Sequence, residues 1–269
     1  MNTLLEQCWH PSPFIQASAL LHVGAITATA LNPEAWSWGL GAIAADHALL
    51  TLAGMVPRCD WLGPNWQRLP AEAKARGEVA ITLDDGPDPS VTPVVLDLLD
   101  QWGVKASFFC IAERAQRYTD LVGEIIRRGH AVENHTLHHR HAFSLLGPAG
   151  TLKELSAAQE ILTSMSGVRP RFFRAPAGLR NPFLDPVLAR LELRLATWTR
   201  RGFDTRNGNA DLVCARLLRG LSGGDILLLH DGNAARTGKG NAVILEVLPR
   251  ILDAIAATGL RPVTLQSAL

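Results

Sequence analysis

Two carboxylates stand side by side at Asp84-Asp85, after the run Glu78-Val-Ala-Ile-Thr-Leu83 and just before Gly86-Pro87. A short β-branched and apolar run that stops at Gly-Pro reads as a strand followed by a sharp turn. Side chains alternate along a strand, and the turn is what can bring both carboxylates to bear on one site. Adjacent carboxylates repel, which a cation relieves, as does a pKa shift that makes one of them a base. Further on comes Glu133-Asn-His135-Thr-Leu-His138-His139-Arg-His141. His135 and His139 are spaced i, i+4, so on a helical turn both imidazoles face one way and can share a metal ion. Zinc-like divalent ions take imidazole and carboxylate together, and two His with one Asp leave coordination positions open for catalysis. Five histidines fall between His130 and His141, more than two ligands need, so some are bystanders. Each motif also has a plainer reading. Asp88 and Ser90 can cap the helix that follows, and a His-rich segment can be a solvated loop.

The elements that must position these residues alternate. From residue 78 the pattern predicts strands at 78–83, 106–111, 130–133, 171–174, 193–199, 225–230 and 262–265. Helices are predicted between them at about 91–102, 115–128, 149–166, 183–191, 210–220 and 242–257, by apolar spacing and by turn residues such as Gly129. Strand-helix alternation implies a parallel sheet, and about seven repeats in this length favour a barrel over an open sheet. Working residues of parallel barrels sit at the C-terminal ends of strands. The polar clusters fall there in turn: Asp84-Asp85, His135–His139, Arg174–Gly178, Asp204 and His230-Asp231.

Of the 269 residues, 19% are charged and the net charge is +1, which offers no basic surface to nucleic acid. The cysteines Cys8, Cys59, Cys110 and Cys214 form no CxxC pair, which fits a reducing compartment. Residues 14–31 contain no charge, and 36–56 are apolar but for Asp46 and His47. Each is about long enough to cross a bilayer, which predicts an apolar helical hairpin over 1–57, membrane-associated through 14–56. A soluble hairpin packed on the domain is the other reading. A cleaved signal peptide is disfavoured, because residues 1–13 carry Glu6 and no Lys or Arg. Arg58, Arg68, Lys74 and Arg76 follow the second segment while the connection at 32–37 has no basic residue, which places both chain ends on the cytoplasmic side of an inner membrane. Residues 58–77, with Pro57, Pro64 and Pro70 in and around them, read as a linker to a catalytic domain at 78–269.

Thr82-Leu-Asp-Asp-Gly-Pro87, His135-Thr-Leu-His-His139, Arg174-Ala-Pro-Ala-Gly178 and Leu228-Leu-His-Asp231 together resemble the ordered motifs of the NodB-type polysaccharide deacetylases, carbohydrate esterase family 4. The resemblance covers roughly residues 78–269 and implies a distorted (β/α)7-type barrel preceded by the hairpin. It implies Asp84 as catalytic base, Asp85, His135 and His139 as ligands of a divalent metal (zinc, with cobalt or nickel as alternatives), and Arg174 as the partner that positions Asp84. His230 would be the general acid, oriented by Asp204, and the backbone N–H of Ala177 would face the oxyanion. The implied reaction removes an N-acyl group, foremost acetyl, from an amino sugar of a glycan or lipid-linked precursor. Deformylation or deacetylation of an undecaprenyl-phosphate-linked amino sugar is the alternative, and an inactive carbohydrate-binding protein is the alternative outside enzymes. The family commonly carries an aromatic where Ala177 stands and Trp where Thr205 stands. Arg200, Arg201 and Arg206 near the expected mouth suit an anionic substrate or are simply solvated.

Overall fold

The sheet forms around β1 (Glu78–Asp84), every residue of which is buried. Val79, Ile81 and Leu83 join the large core under the outer helices, and Ala80 joins a second core on the inner face. The strand period of two therefore puts Thr82 and Asp84 inside the curl together with Ala80. The structure is a computed structural model describing residues 9–269. Residues 1–8, with Cys8 and the start of the expected 1–57 segment, lie outside the described residues.

Ahead of β1 come α1 (Pro13–Leu31), α2 (Trp36–Met55) and α3 (Ala71–Ala75). After it the chain runs through α4 (Thr92–Gln101), β2 (Ser107–Cys110), α5 (Ala112–Arg117), α6 (Thr119–Arg127), β3 (Ala131–Asn134), α7 (Pro148–Ser166) and β4 (Phe172–Phe173). It continues with α8 (Leu184–Arg190), β5 (Arg194–Leu195), β6 (Arg200–Arg201), α9 (Ala210–Leu218), β7 (Ile226–His230), α10 (Ile244–Ala257) and β8 (Arg261–Val263). The strands are parallel in the order β5-β4-β3-β2-β1-β7-β6, with β8 paired to the first residues of β1. The sequence predicts one strand at 193–199; the chain there makes two short ones. Ala196 N donates to Phe173 O at 2.9 Å on one side, and Thr199 N donates to Ile226 O at 2.9 Å on the other. The stretch 194–201 thus passes from one end of the sheet to the other and closes a distorted, curled barrel. The predicted helix at 115–128 is likewise two, broken at Tyr118 (φ −125°, ψ 55°). On α10, Ile244, Val247, Leu248, Ile251, Leu252 and Ile255 recur at helical spacing and are all buried. Burial of such a side chain stabilises by about 1.5–3 kcal/mol.

α1 and α2 lie antiparallel, joined through a short turn at Pro33–Ala35. At 1.5 Å per residue each is about 30 Å long, close to a hydrocarbon thickness. Leu20, Val23, Ile26, Leu49 and Leu52 are exposed on the pair. Among the described residues α1 alone is apolar enough to span by composition, with mean hydropathy 1.5. α2 carries Asp46, which is buried between the helices: Ser18 Oγ donates to its Oδ2 at 2.7 Å, and His22 Nδ1 stands 3.7 Å from the same oxygen.

The base of the hairpin docks on the barrel. Arg180 N donates to Gly54 O at 3.1 Å, and a Cβ on Gly54 would lie 2.1 Å from Arg180 O. A Cβ on Gly178 (φ +75°) would lie 2.7 Å from both Pro57 Cβ and Trp198 Cη2. The stretch 58–77, expected as a linker, packs on the sheet because its backbone pairs with strand ends. Trp66 N donates to Leu195 O at 2.8 Å, Leu69 N donates to Gly224 O at 2.9 Å, and Arg68 Nη1 meets Asp225 Oδ1 at 2.7 Å.

Candidate active site

Asp84 ends β1 pointing inward, where it meets Arg174. That guanidinium is fully buried and donates from Nη1 to Asp84 Oδ1 (2.6 Å) and Thr82 Oγ1 (2.8 Å), from Nε to Ala196 O (3.1 Å) and from Nη2 to Thr197 O (2.7 Å). Its Cζ lies 4.1 Å from the centroid of the Phe109 ring. Burial lowers the Arg174 pKa while Asp84 opposes the shift; a guanidinium remains charged even so. Thr197 Oγ1 donates in turn to Asn65 Oδ1 at 2.9 Å, and Asn65 Nδ2 donates to Pro57 O at 3.0 Å. A continuous polar chain therefore joins Asp84 to the hairpin exit.

Asp85 turns the other way at φ 70° and meets the imidazoles. Its Oδ1 lies 3.2 Å from His135 Nε2 and 3.1 Å from His139 Nε2. That oxygen is buried and has no hydrogen-bond partner. One ligand atom from each of the three residues falls within a 4.8 Å cluster. His135 Nδ1 stands 2.7 Å from Arg174 O, which puts an N–H on Nδ1 and turns Nε2 towards Asp85. Burial and the neighbouring His135 push His139 down to about 4, so it is neutral near pH 7. Burial alone would raise the Asp85 pKa, but His135, His139 and His230 outweigh it and hold the carboxyl well below its usual range. Two imidazoles and one carboxylate, with a buried oxygen left without a partner, fit a divalent cation. The predicted helical turn is absent: Thr136 (φ 68°) and His139 (φ 52°) are left-handed, and the 135–140 segment is a loop. Asn134 Oδ1 accepts from Thr136 N (2.9 Å) and Thr136 Oγ1 from His139 N (2.8 Å), which holds the loop in that shape. Of the surplus histidines, His138 binds Glu154 (2.8 Å) and His130 accepts from Ala106 N (3.1 Å).

His230 ends β7 with two of its donors on Asp204, leaving Nε2 free: Nδ1 is 2.9 Å from Oδ1 and the backbone N 2.8 Å from Oδ2. Burial alone would lower the His230 pKa, yet the Asp204 carboxylate, assisted by Asp84 and Asp85, lifts it to about 8. Asp84, Asp85, His135, His139, Ala177 and His230 all line one cavity of about 670 Å³, with Arg174 beneath Asp84 and Asp204 behind His230. Six of the seven non-glycine residues with positive φ among the described residues sit in the loops forming it: Asp85, Thr136, His139, Ala177, Phe203 and Asn233. Strained backbone of this kind gathers where side chains are held for function. Arg200, expected at the mouth, is turned away onto Asp225 (2.7 Å) and the Arg219 and Gly220 carbonyls; Arg201 and Arg206 do line the cavity.

Sequence reasoning missed several supports. Asn233 Nδ2 donates to Asp85 Oδ2 at 3.0 Å, and Arg114 Nη1 donates to Asp85 O at 2.8 Å. A Cβ on Gly232 would meet Asp85 O at 2.2 Å, so only glycine lets these two loops close. Thr82 had a legible signal: it lies two residues before Asp84, on the same face of a strand.

The polysaccharide deacetylase family profile matches residues 71–196. The peptidoglycan-N-acetylglucosamine deacetylase of Bacillus cereus is 32% identical over 198 residues, covering 71% of this chain and 87% of that one. The chain belongs to the polysaccharide deacetylases of carbohydrate esterase family 4. The chitooligosaccharide deacetylase of Azorhizobium caulinodans is 33% identical, covering 68% of this chain and 90% of that enzyme. Among solved folds, a family 4 carbohydrate esterase from Streptomyces lividans in complex with acetate superposes with a TM-score of 0.63 at 32% identity, covering 69% of this chain and 91% of that one. The curled parallel barrel described above is thus the deacetylase fold of this family.

Asp84 and Asp85 are separable experimentally. Asp84→Asn is expected to keep stoichiometric bound metal and lose activity by about 10²–10⁴, the usual worth of a positioned base, whereas Asp85→Asn and His139→Ala lose the metal itself. Elemental analysis beside turnover reads both; wild-type turnover in Asp84→Asn rejects the base assignment. A general-acid role for His230 requires it to be protonated and sets an expected pH profile. Activity should fall as pH rises through about 8. Asp204→Asn removes the charge that raises this pKa, so the falling limb should move to lower pH; an unmoved limb would exclude the pairing as its cause.

Proposed function

We propose that the chain is a metal-dependent hydrolase that removes the N-acetyl group from an amino sugar. The observation that carries this reading is the convergence on one cavity of Asp84 on Arg174, of Asp85 between His135 and His139, and of His230 on Asp204. Asp85, His135 and His139 would hold a divalent cation, zinc foremost and cobalt or nickel by the same donor chemistry, which would supply Lewis-acid polarisation and acidify water. Asp84, fixed by Arg174 and free to accept on Oδ2, takes a proton from the attacking water. The new C–O bond forms as the carbonyl becomes tetrahedral, and the Ala177 backbone N–H donates to the oxyanion. His230, held protonated by Asp204, delivers its proton to the departing nitrogen as the C–N bond breaks. Acetate and a free amine result. Relatives named for peptidoglycan and chitooligosaccharide support an N-acetylated amino-sugar substrate.

The hairpin favours a membrane-apposed form of that substrate. Trp36 and Trp38 stand at its turn, and Trp9 and Trp61 at its base, all exposed, as in the aromatic belts of spanning segments. Arg58, Arg68, Lys74 and Arg76 follow α2, which supports a cytoplasmic catalytic domain by the positive-inside rule; on that reading a lipid-linked precursor is within reach and an external polymer is not.

The full-length protein should release acetate from N-acetylated amino sugars, lose that activity on exhaustive chelation and regain it with zinc. Activity that survives complete metal removal defeats the reading, and formate released in place of acetate from an N-formyl analogue would redirect it to deformylation. For topology, reporter fusions at residue 35 and at the C-terminus should report opposite sides, with the C-terminal fusion cytoplasmic; a periplasmic C-terminal signal overturns the orientation.

A further inference from the structure

The segment 198–206 gives the cavity Trp198, Arg201, Thr205 and Arg206. Arg201 is half-buried with its guanidinium against two rings, 5.0 Å from the centroid of Trp198 and 4.8 Å from that of Phe203. Its Nε is buried without a partner. Burial lowers the Arg201 pKa, and Asp84 and Asp204 act against that shift while Arg206 and Arg174 add to it. The other cavity arginines are engaged. Arg114 holds Asp85 O and Asn233 Oδ1, at 2.8 and 3.0 Å, and Arg117 lies 4.0 Å from Glu113. The Arg201 and Arg206 side chains have no such acceptor among the described residues.

A desolvated cation left without an acceptor costs free energy, which an incoming anion recovers. Guanidinium forks match the paired oxygens of phosphate and carboxylate, and a fork already stacked on rings loses little freedom on binding. Ala177 and Thr205, both small, line the same cavity. Arg201, Arg206 and Asp84 line it as well, so an anionic group held at the 201/206 wall leaves the acetamide to Asp84.

We infer that Arg201 and Arg206 form a subsite for an anionic substituent, so that the substrate class is an N-acetylated amino sugar carrying a phosphate or carboxylate. This deepens the deacetylase reading and rests on it for the placement of the acetamide.

Calorimetry on the full chain with N-acetylglucosamine, N-acetylglucosamine 1-phosphate and N-acetylmuramic acid reads binding without turnover. An anionic sugar should bind at least tenfold more tightly than the neutral one, with the phosphate and carboxylate arms telling the two anions apart. Arg201→Gln and Arg206→Gln should each remove most of that preference, and the ratio of kcat/KM for anionic over neutral substrates should fall in step. Arg206 is exposed, so its variant keeps the test valid should Arg201→Gln fold poorly. Equal affinity for neutral and anionic sugars, or an unchanged ratio in Arg206→Gln, overturns the subsite. Anion preference without any acetate release would instead defeat the hydrolase reading and leave the subsite standing.

Discussion

A guanidinium with no exposure to water, at the centre of the curled sheet, is the constraint on which the rest depends. Arg174 spends its donors on Asp84, Thr82 and two carbonyls of the 194–201 stretch. It therefore ties β1 to the segment that closes the barrel. Removing one member of such a buried pair leaves an uncompensated charge, at a cost of about 3–5 kcal/mol. Stability alone would be served as well by apolar packing. What the pair fixes is direction: with Oδ1 of Asp84 committed to Arg174, the second oxygen is the one left to face the cavity. The Arg174 carbonyl extends the same control to His135 by fixing its tautomer. One residue thus orients both Asp84 and His135.

Most of the side chains that converge on the cavity were legible because strand ends and alternation locate side chains without any knowledge of loops. Asp84, Asp85, Arg174 and His230 follow from where apolar runs stop, and the deacetylase fold follows from the order of those runs. The arginines show where legibility ends. Arg200 and Arg201 look equivalent in the chain, but β6 begins at Arg200, and neighbours on a strand face opposite ways. Reading that strand as ending at Thr199 hid the difference. Loop geometry was equally out of reach. His135 and His139 converge through left-handed Thr136 and His139, and a non-glycine positive φ leaves no mark in composition. Asn233 and Gly232 hold Asp85 from the far end of the chain, a pairing that only the parallel register of β1 and β7 brings about.

The hairpin follows other rules. Its outer surface is apolar, and its buried polar atoms meet each other: Ser18 donates to Asp46, with His22 beside them. An acid between two apolar helices is tolerable when its partners come from the facing helix. The small residues of these helices allow the close approach this needs, Gly39 against Thr29 being one such place.

The closeness of Gly54 to Arg180 and of Pro57 to Gly178 leaves no slack between hairpin and barrel. A flexible tether lets a catalytic head sweep a volume; here the head is bolted to its stalk, through the loop that carries Ala177 itself. The height and tilt of the cavity relative to the hairpin are constants of the fold. Residues 54 and 66–69 are accordingly poor places to cut or lengthen the chain, because their backbone is already bonded to the barrel.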